Sequence, residues 1–304
     1  MPRVVIAMPA YNAANFISAT LDSVLAGTCL DLEICVVDDG SIDRTADLAS
    51  SRGPRVRVLQ QANRGMSASR NRAIAESDSE FFALLDTDDQ WHPAKLALQL
   101  SVLDARQDVG LCYSEFFIWD GMAAPTFAAP CDARLDEGLS GYIYPKMLLT
   151  NFVLPSSAVF RRSAIEQLGP FLCDDQQTDD WEYTVRASRQ FAFAKLSAPL
   201  VAYRQHASSL SKRPRAENVT ELMRESLIAR YGLTSPQGVA VDPVELAARR
   251  YRGWRNFAAM HVAHGDLGIG SAAFGTMVLQ GPHRAGSALN FVKALGRRVI
   301  GPSS

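Results

Sequence analysis

Five apolar residues, Phe81-Phe82-Ala83-Leu84-Leu85, run straight into Asp86-Thr87-Asp88-Asp89. The run is too short to span a membrane and suits a strand buried on both faces, which places three carboxylates at its carboxyl end. After Trp91 and His92, Pro93 and the stripe Leu96, Leu100, Leu103 predict a helix. Strand, charged loop and helix form the repeating unit of an open α/β sheet, where ligands bind in the crevice outside the strands' carboxyl ends. Three adjacent carboxylates repel one another unless a cation joins them. An oxygen-only set suits a hard divalent ion, Mg2+ or Mn2+. The competing reading is a solvated acidic turn that caps the helix, and the rest of the chain has to decide between the two.

The same unit recurs upstream. Val4 to Met8 reads as a buried strand ending at Pro9, with Pro9-Ala10-Tyr11-Asn12 as its loop. Ile17, Leu21, Val24 and Leu25 mark one face of a helix that stops near Gly27. Glu33 to Val37 is a second strand, broken at Asp38-Asp39-Gly40-Ser41 before a helix through Leu48. Val56 to Leu59 is a third, and Asn63-Arg64-Gly65 leads into a helix over Ser67 to Glu76. Strands alternating with helices imply a doubly wound, mostly parallel sheet with right-handed crossovers. Tyr11, Asp38, Asp39, Arg70, Asn71, Asp86 and Asp88 should then converge on one crevice. Neither a Gly-x-Gly-x-x-Gly turn nor a Gly-x4-Gly-Lys-Ser/Thr loop is present. An aromatic face at Tyr11 can instead stack on a base, a carboxylate can accept a base imide N–H, and a metal on Asp88 would neutralise a diphosphate. Tyr11 reads equally as a helix-entry packing residue, and Asp38 as a turn residue.

The ordered series Val5-Ile6-Ala7-Met8-Pro9-Ala10-Tyr11-Asn12, Val36-Val37-Asp38-Asp39-Gly40-Ser41, Asn63-Arg64-Gly65 with Ala68-Ser69-Arg70-Asn71, and Leu85-Asp86-Thr87-Asp88-Asp89-Gln90-Trp91 resembles glycosyltransferase family 2. The resemblance is close over the first hundred residues and traceable to residue 212. It implies a GT-A fold, Rossmann-like, over 1–212, with a nucleotide-binding half at 1–108, an acceptor and base half at 109–212, and an α-helical extension at 213–304. It further implies an inverting transfer from a nucleotide-sugar, commonly UDP-linked, and a divalent metal, Mn2+ or Mg2+. Carried over by position, Tyr11 and Asp39 hold the base, Asp86 the ribose side, Asp88 with Asp86 the metal, and Arg70 lies near the diphosphate or sugar; Pro9 and Asp38 count among the donor-binding residues.

Downstream, Val109 to Phe117 predicts a strand, followed by a Pro/Gly/Ala-rich loop through Gly141 that shapes the acceptor site or closes over the donor. Ser156 to Phe160 predicts a strand and Ser163 to Leu168 a helix. Acids from Asp174 to Asp180 precede a helix through Arg189, where carboxylates also favour the helix dipole. The family's Glu-Asp pair falls here on Asp179-Asp180, making Asp180 the catalytic base with Asp179 beside it; Asp174-Asp175 offers a second register. Tyr203-Arg204-Gln205-His206 resembles the family's Tyr-Arg-x-His segment. His206 would complete the metal shell or touch the diphosphate, and Arg204 would offset leaving-group charge; a solvated loop histidine is the other reading.

Charge divides the chain: residues 1–212 carry 19 Lys+Arg against 26 Asp+Glu, whereas 213–304 carry 12 against 6. Beyond 212 the periodicity is helical: Asn218 to Tyr231, Pro243 to His264, Leu267 to Leu279 and Ala285 to Val299. His261 and His264 lie three apart but lack a third metal ligand. The last helix is basic and amphipathic through Lys293, Arg297 and Arg298, which suits either peripheral contact with an anionic membrane and its lipid-linked acceptors or packing on the catalytic domain. Five scattered cysteines, no leader and no long apolar run predict a cytoplasmic protein with no nucleic-acid partner, and peripheral contact with the inner face of the cell membrane is the further expectation. The saccharide or lipid-linked acceptor belongs to polysaccharide or glycolipid assembly by resemblance. Two rivals are weaker. A sugar-phosphate nucleotidyltransferase would show a Gly-rich basic segment after its first strand, and Pro9 to Ile17 has no Gly, Lys or Arg. A non-catalytic nucleotide-sugar-binding scaffold would have lost some of the acids, and all are present.

Overall fold

The computed structural model describes residues 1–127, 132, 134–173, 179–206 and 215–280. The chain divides into two compact units, Met1–Met147 with Asn151–His206, and Leu148–Thr150 with Ala207–Ser304.

The first unit is laid down as β1 (Val4–Ala10), α1 (Ile17–Leu25), β2 (Leu32–Asp38), α2 (Thr45–Ser50), β3 (Val56–Gln60), α3 (Met66–Ala75), β4 (Phe81–Leu84), β5 (Gln90–Trp91), α4 (Lys95–Ala105), β6 (Val109–Trp119), α5 (Tyr144–Leu149, crossing the unit boundary), β7 (Val159–Arg161), α6 (Arg162–Leu168), α7 (Asp179–Ser188) and β8 (Ala192–Arg204). Among the described residues its eight strands form one sheet in the order β3-β2-β1-β4-β7-β6-β8-β5. β1 pairs in parallel with both β2 and β4 and is buried at every position, which is why its sequence is continuously apolar rather than alternating. The chain winds outward through β2 and β3, then returns to the other side of β1 as β4. That reversal sets the topological switch point between the carboxyl ends of β1 and β4, where Tyr11 and Asp86 emerge.

Three elements depart from the sequence expectation. β1 continues through Pro9 to Ala10. Its ladder with β4 already stops at Ala7 and Leu84, so the missing proline N–H breaks no bond on that side. The segment predicted as a strand from Ser156 begins as a 3-10 turn, Pro155–Ser157, and the strand itself starts at Val159. β8 carries no clear strand signal because Lys195, Ser197 and Pro199 interrupt its apolar pattern; the β6–β8 register slips at Ser114–Glu115 to accommodate them. β5 is only two residues long and forms the sheet's short edge. As expected, Leu96, Leu100 and Leu103 bury one face of α4.

The second unit contains α8 (Val219–Tyr231), α9 (Pro243–His264) and α10 (Leu267–Gln280). α9 starts as its sequence dictates, with Pro243 in the first turn and the Asp242 carboxylate accepting from Val244 N–H at 2.8 Å. Glu221 and Arg224 form a buried ion pair against Gly253, where an added Cβ would collide with the Glu221 carboxylate. The His261 ring uses both nitrogens: Nδ1 accepts from Asp266 N–H at 3.2 Å and Nε2 meets the Arg215 carbonyl at 2.8 Å. It is a packing histidine of this unit. Among the described residues no helix is long and apolar enough to cross a membrane. The basic helix expected at 285–299 lies outside the described residues.

Candidate active site

The loops after β1 and β2 are laced together. Asn12, at φ +48°, donates its N–H to Ser41 Oγ (2.9 Å) and accepts from Ile42 N–H (2.9 Å). Ala13 N–H reaches Thr45 Oγ1 at 2.8 Å and Ala14 N–H the Asp43 carboxylate at 3.1 Å. The strand-two loop thereby supplies acceptors to the backbone entering α1, and the Tyr11 ring, 54% exposed, stands at the crevice mouth.

Asp38 and Asp39 are both buried. Asp38 accepts from Ser41 N–H at 3.1 Å and Gln60 Nε2 at 3.4 Å, the turn duty expected of it. Asp39 does more for the fold than its sequence suggested. Its carboxylate accepts from Gln61 Nε2 (2.8 Å), Arg64 N–H (2.9 Å) and Gly65 N–H (2.8 Å), clamping the loop that starts α3. A carboxylate has about four acceptor sites, so one remains for a ligand donor. Asp39→Ala is expected to cost about 2–4 kcal/mol by orphaning these donors, read as a lower urea midpoint with an unchanged slope.

A second group forms behind β4. Arg70, 3% exposed on α3, donates from Nη2 to Asp86 Oδ1 at 3.0 Å, and the Asp86 backbone N–H is held by Ser156 Oγ at 3.1 Å. Asp180, at the start of α7, accepts from Asn151 Nδ2 at 3.3 Å. Burial pushes the Asp180 carboxyl above the ordinary carboxylate range, opposed in part by the nearby Arg70 charge. Asn71 holds the approach to α7: its amide donates to the Phe171 carbonyl and accepts from the Phe171 N–H, both at 2.8 Å. Phe171 then stacks on Tyr183 of α7 with ring centroids 3.7 Å apart. Asp174 and Asp175 lie outside the described residues, as does the Asp179 side chain.

The third group surrounds Asp88. Its Oδ2 stands 3.0 Å from His206 Nε2, just past the end of β8. Burial, then the Asp86 charge, raise the Asp88 pKa, while the His206 contact lowers it. Arg204 donates from Nε to the Asp88 carbonyl (2.9 Å) and from its N–H to Asp89 Oδ1 (3.0 Å). Its guanidinium carbon lies 4.0 Å from the Trp119 ring centroid and 5.2 Å from that of Phe16. Asp89, fully buried, is pushed well above the ordinary carboxylate range by burial and then by Asp86 and Asp88. Sequence reasoning singled out neither Asp89 as the anchor of the Arg204 backbone nor the Phe16 and Trp119 rings.

The donor set fits a divalent ion. Two ligands about 2.1 Å from one ion on adjacent octahedral corners are about 3.0 Å apart, the separation Asp88 and His206 already have. One carboxylate with one imidazole is a donor pair open to first-row divalent ions. Among the described residues no three His, Cys, Asp or Glu side chains are arranged to hold one metal ion, so a bound ion would draw its other ligands from substrate and water.

Residues 5–169 match the profile of Glycosyl transferase family 2. Chondroitin synthase of Pasteurella multocida (strain Pm70) is 37% identical over 151 residues, 48% of this chain and 14% of the synthase. The chain therefore spans about a seventh of the length of that relative. Among solved structures, S. aureus TarS 1-349 in complex with UDP-GlcNAc superposes with a TM-score of 0.63 at 17% identity, covering 98% of this chain and 90% of that one. The mannosyltransferase PcManGT of Pyrobaculum calidifontis, in complex with GDP-Man and Mn2+, superposes at 0.62 with 20% identity, covering 99% and 88%. These structures share the GT-A fold with the present α/β sheet. Motif order, sheet topology and a profile match over more than half of the chain agree: this chain belongs to glycosyl transferase family 2, a family of transferases.

Proposed function

We propose that this enzyme moves a sugar from a nucleotide-sugar, UDP-linked, to an acceptor hydroxyl with inversion at the anomeric carbon. The observation that supports the reading is the Asp88–His206 pair and the Arg70–Asp86 pair, each at 3.0 Å, with Asp180 near enough to Arg70 and Asp86 to feel their charges. Tyr11 stacks on the base, with Pro9 and Asp38 shaping the adjoining walls and the remaining acceptor site of Asp39 turned to the base edge. Arg70 holds the Asp86 carboxylate toward the ribose side. Asp180 takes the acceptor proton as the acceptor oxygen attacks the anomeric carbon. The bond from that carbon to the diphosphate oxygen breaks on the opposite face, and its electron pair leaves with the nucleoside diphosphate. Asp88 and His206 would hold a divalent ion, which would supply positive charge toward that leaving group. Arg204, fixed over Trp119, adds to that charge. Residues 1–212 form the catalytic domain in this reading, and 213–304 the helical extension. The chondroitin synthase relative supports an acceptor that is a growing saccharide.

Thermal shift tests the proposal: UDP, GDP, CDP and dTDP, each with and without Mn2+. A nucleotide at a hundred times its Kd adds about 2.7 kcal/mol to the folded state. The expected result is a rise of several degrees with UDP that requires Mn2+ and disappears in Asp88→Ala. No rise with any nucleotide would overturn the reading. A rise with GDP alone, the donor base in the PcManGT structure, would reassign the base and leave the chemistry standing.

A further inference from the structure

We propose that Phe16 is a positioning residue for the divalent ion, acting through His206; this rests on the reading that Asp88 and His206 hold that ion. Phe16 occupies the N-cap of α1, where Ser, Thr, Asp or Asn is preferred because the side chain can accept from the helix's first N–H groups. It makes no such bond. Its ring is half-buried and is not part of the hydrophobic core. N-caps without a side-chain bond also start α2, α4 and α6, so it is the ring's place outside the core that points to another constraint.

The constraint is visible in what the ring touches. Phe16 stacks on the His206 imidazole with centroids 4.7 Å apart and planes inclined by 22°. The same ring lies 5.2 Å from the Arg204 guanidinium carbon, whose nearer neighbour is Trp119 at 4.0 Å. An imidazole binds metal in its ring plane. A ring lying on its face therefore leaves the Nε2 edge free to point at Asp88 while opposing rotation out of that plane. His206 comes just past the end of β8, where the face-on contact with Phe16 acts beside the Asp88 bond, and a metal ion must replace that bond. Phe16 thus joins the first loop of the sheet to the end of its last long strand and presents the two ligands to the ion in a preformed arrangement.

The test titrates Mn2+ into the full-length protein saturated with UDP or, in parallel, GDP, and reads binding by calorimetry rather than turnover. Phe16→Leu keeps an apolar side chain but removes the ring; Phe16→Tyr keeps the ring. Phe16→Leu is expected to weaken Mn2+ binding at least about tenfold, as other supports of metal-ligating histidines do, with metal-free nucleotide affinity unchanged. Phe16→Tyr should stay within about twofold of the parent. Parent-like Mn2+ affinity in Phe16→Leu would overturn the assignment. So would equal losses with and without metal, since that pattern belongs to a structural defect. If Phe16→Leu does not fold, Phe16→Met supplies the ring-less case. A parent protein that binds nucleotide without any Mn2+ dependence would refute the metal reading itself, a result distinct from an unaffected Phe16 variant.

Discussion

Asp180→Asn is expected to lower sugar transfer by about a thousandfold or more, while Mn2+-dependent nucleotide binding stays near that of the parent. The amide keeps the volume and the contact with Asn151 but has no basic oxygen to take the acceptor proton. The environment prepares the native carboxylate for that task. Burial makes it more basic than an ordinary aspartate, and the nearby Arg70 charge opposes that shift. The sign of the pH dependence follows. As pH falls, a proton occupies Asp180 and the base is lost, so kcat/KM should fall on the acid side with a midpoint above the ordinary aspartate value of about 3.9. Release of nucleoside diphosphate from the donor, followed across pH, reads both effects. Transfer at the parent rate in Asp180→Asn would move the base elsewhere, with Asp179 first in line.

The individual pieces of this site were legible because each sits where local chemistry changes abruptly. An apolar run that ends in Asp86-Thr87-Asp88-Asp89 can hardly be anything but a buried strand opening into a charged loop, and the parallel winding of β1, β2 and β4 follows from such repeats. The pairings were not legible. Arg70 with Asp86, Asn71 with Phe171, and Arg204 with Asp88 and Asp89 join residues far apart in the chain, and no periodicity encodes which distant partner a side chain will meet. β8 escaped for a related reason. Its place is fixed by β6 and β5 on either side, so it tolerates Lys195, Ser197 and Pro199 where a self-sufficient strand would not. Asp39 is the instructive intermediate. The sequence exposes its position at a strand end, but only the folded chain reveals that three donors of one loop already use it.

Lys95→Met is expected to stabilise the protein at pH 7 by about 2–4 kcal/mol and to flatten its stability profile above neutrality. Lys95 is fully buried on the first turn of α4, and among the described residues its Nζ has no hydrogen-bond partner. The Trp91 ring, 3.8 Å away at its centroid, offers a cation–π contact worth about 2 kcal/mol when desolvated. Cys112 provides no counter-charge, because burial raises its thiol to about 12. Desolvation wins and lowers the Lys95 pKa to about 7. Between pH 7 and the ordinary lysine value of about 10.4, the unfolded chain binds a proton that the folded chain does not, so stability should rise with pH across that window. Below pH 7 both states carry the charge and the penalty is constant. Urea midpoints of parent and variant at pH 6, 7, 8.5 and 10 test this: the gap should be widest at pH 6 and 7 and close toward pH 10. A variant less stable than the parent at pH 7 would mean that the ammonium–indole contact outweighs desolvation. Trp91 donates its indole N–H to the Ser156 carbonyl at 2.8 Å, and Ser156 Oγ accepts the Asp86 N–H, so two residues link the lysine to Asp86 at the crevice. A more stable but slower Lys95→Met enzyme would therefore place this buried charge among features kept for activity at a cost in stability. A more stable enzyme of unchanged rate would restrict its effect to folding.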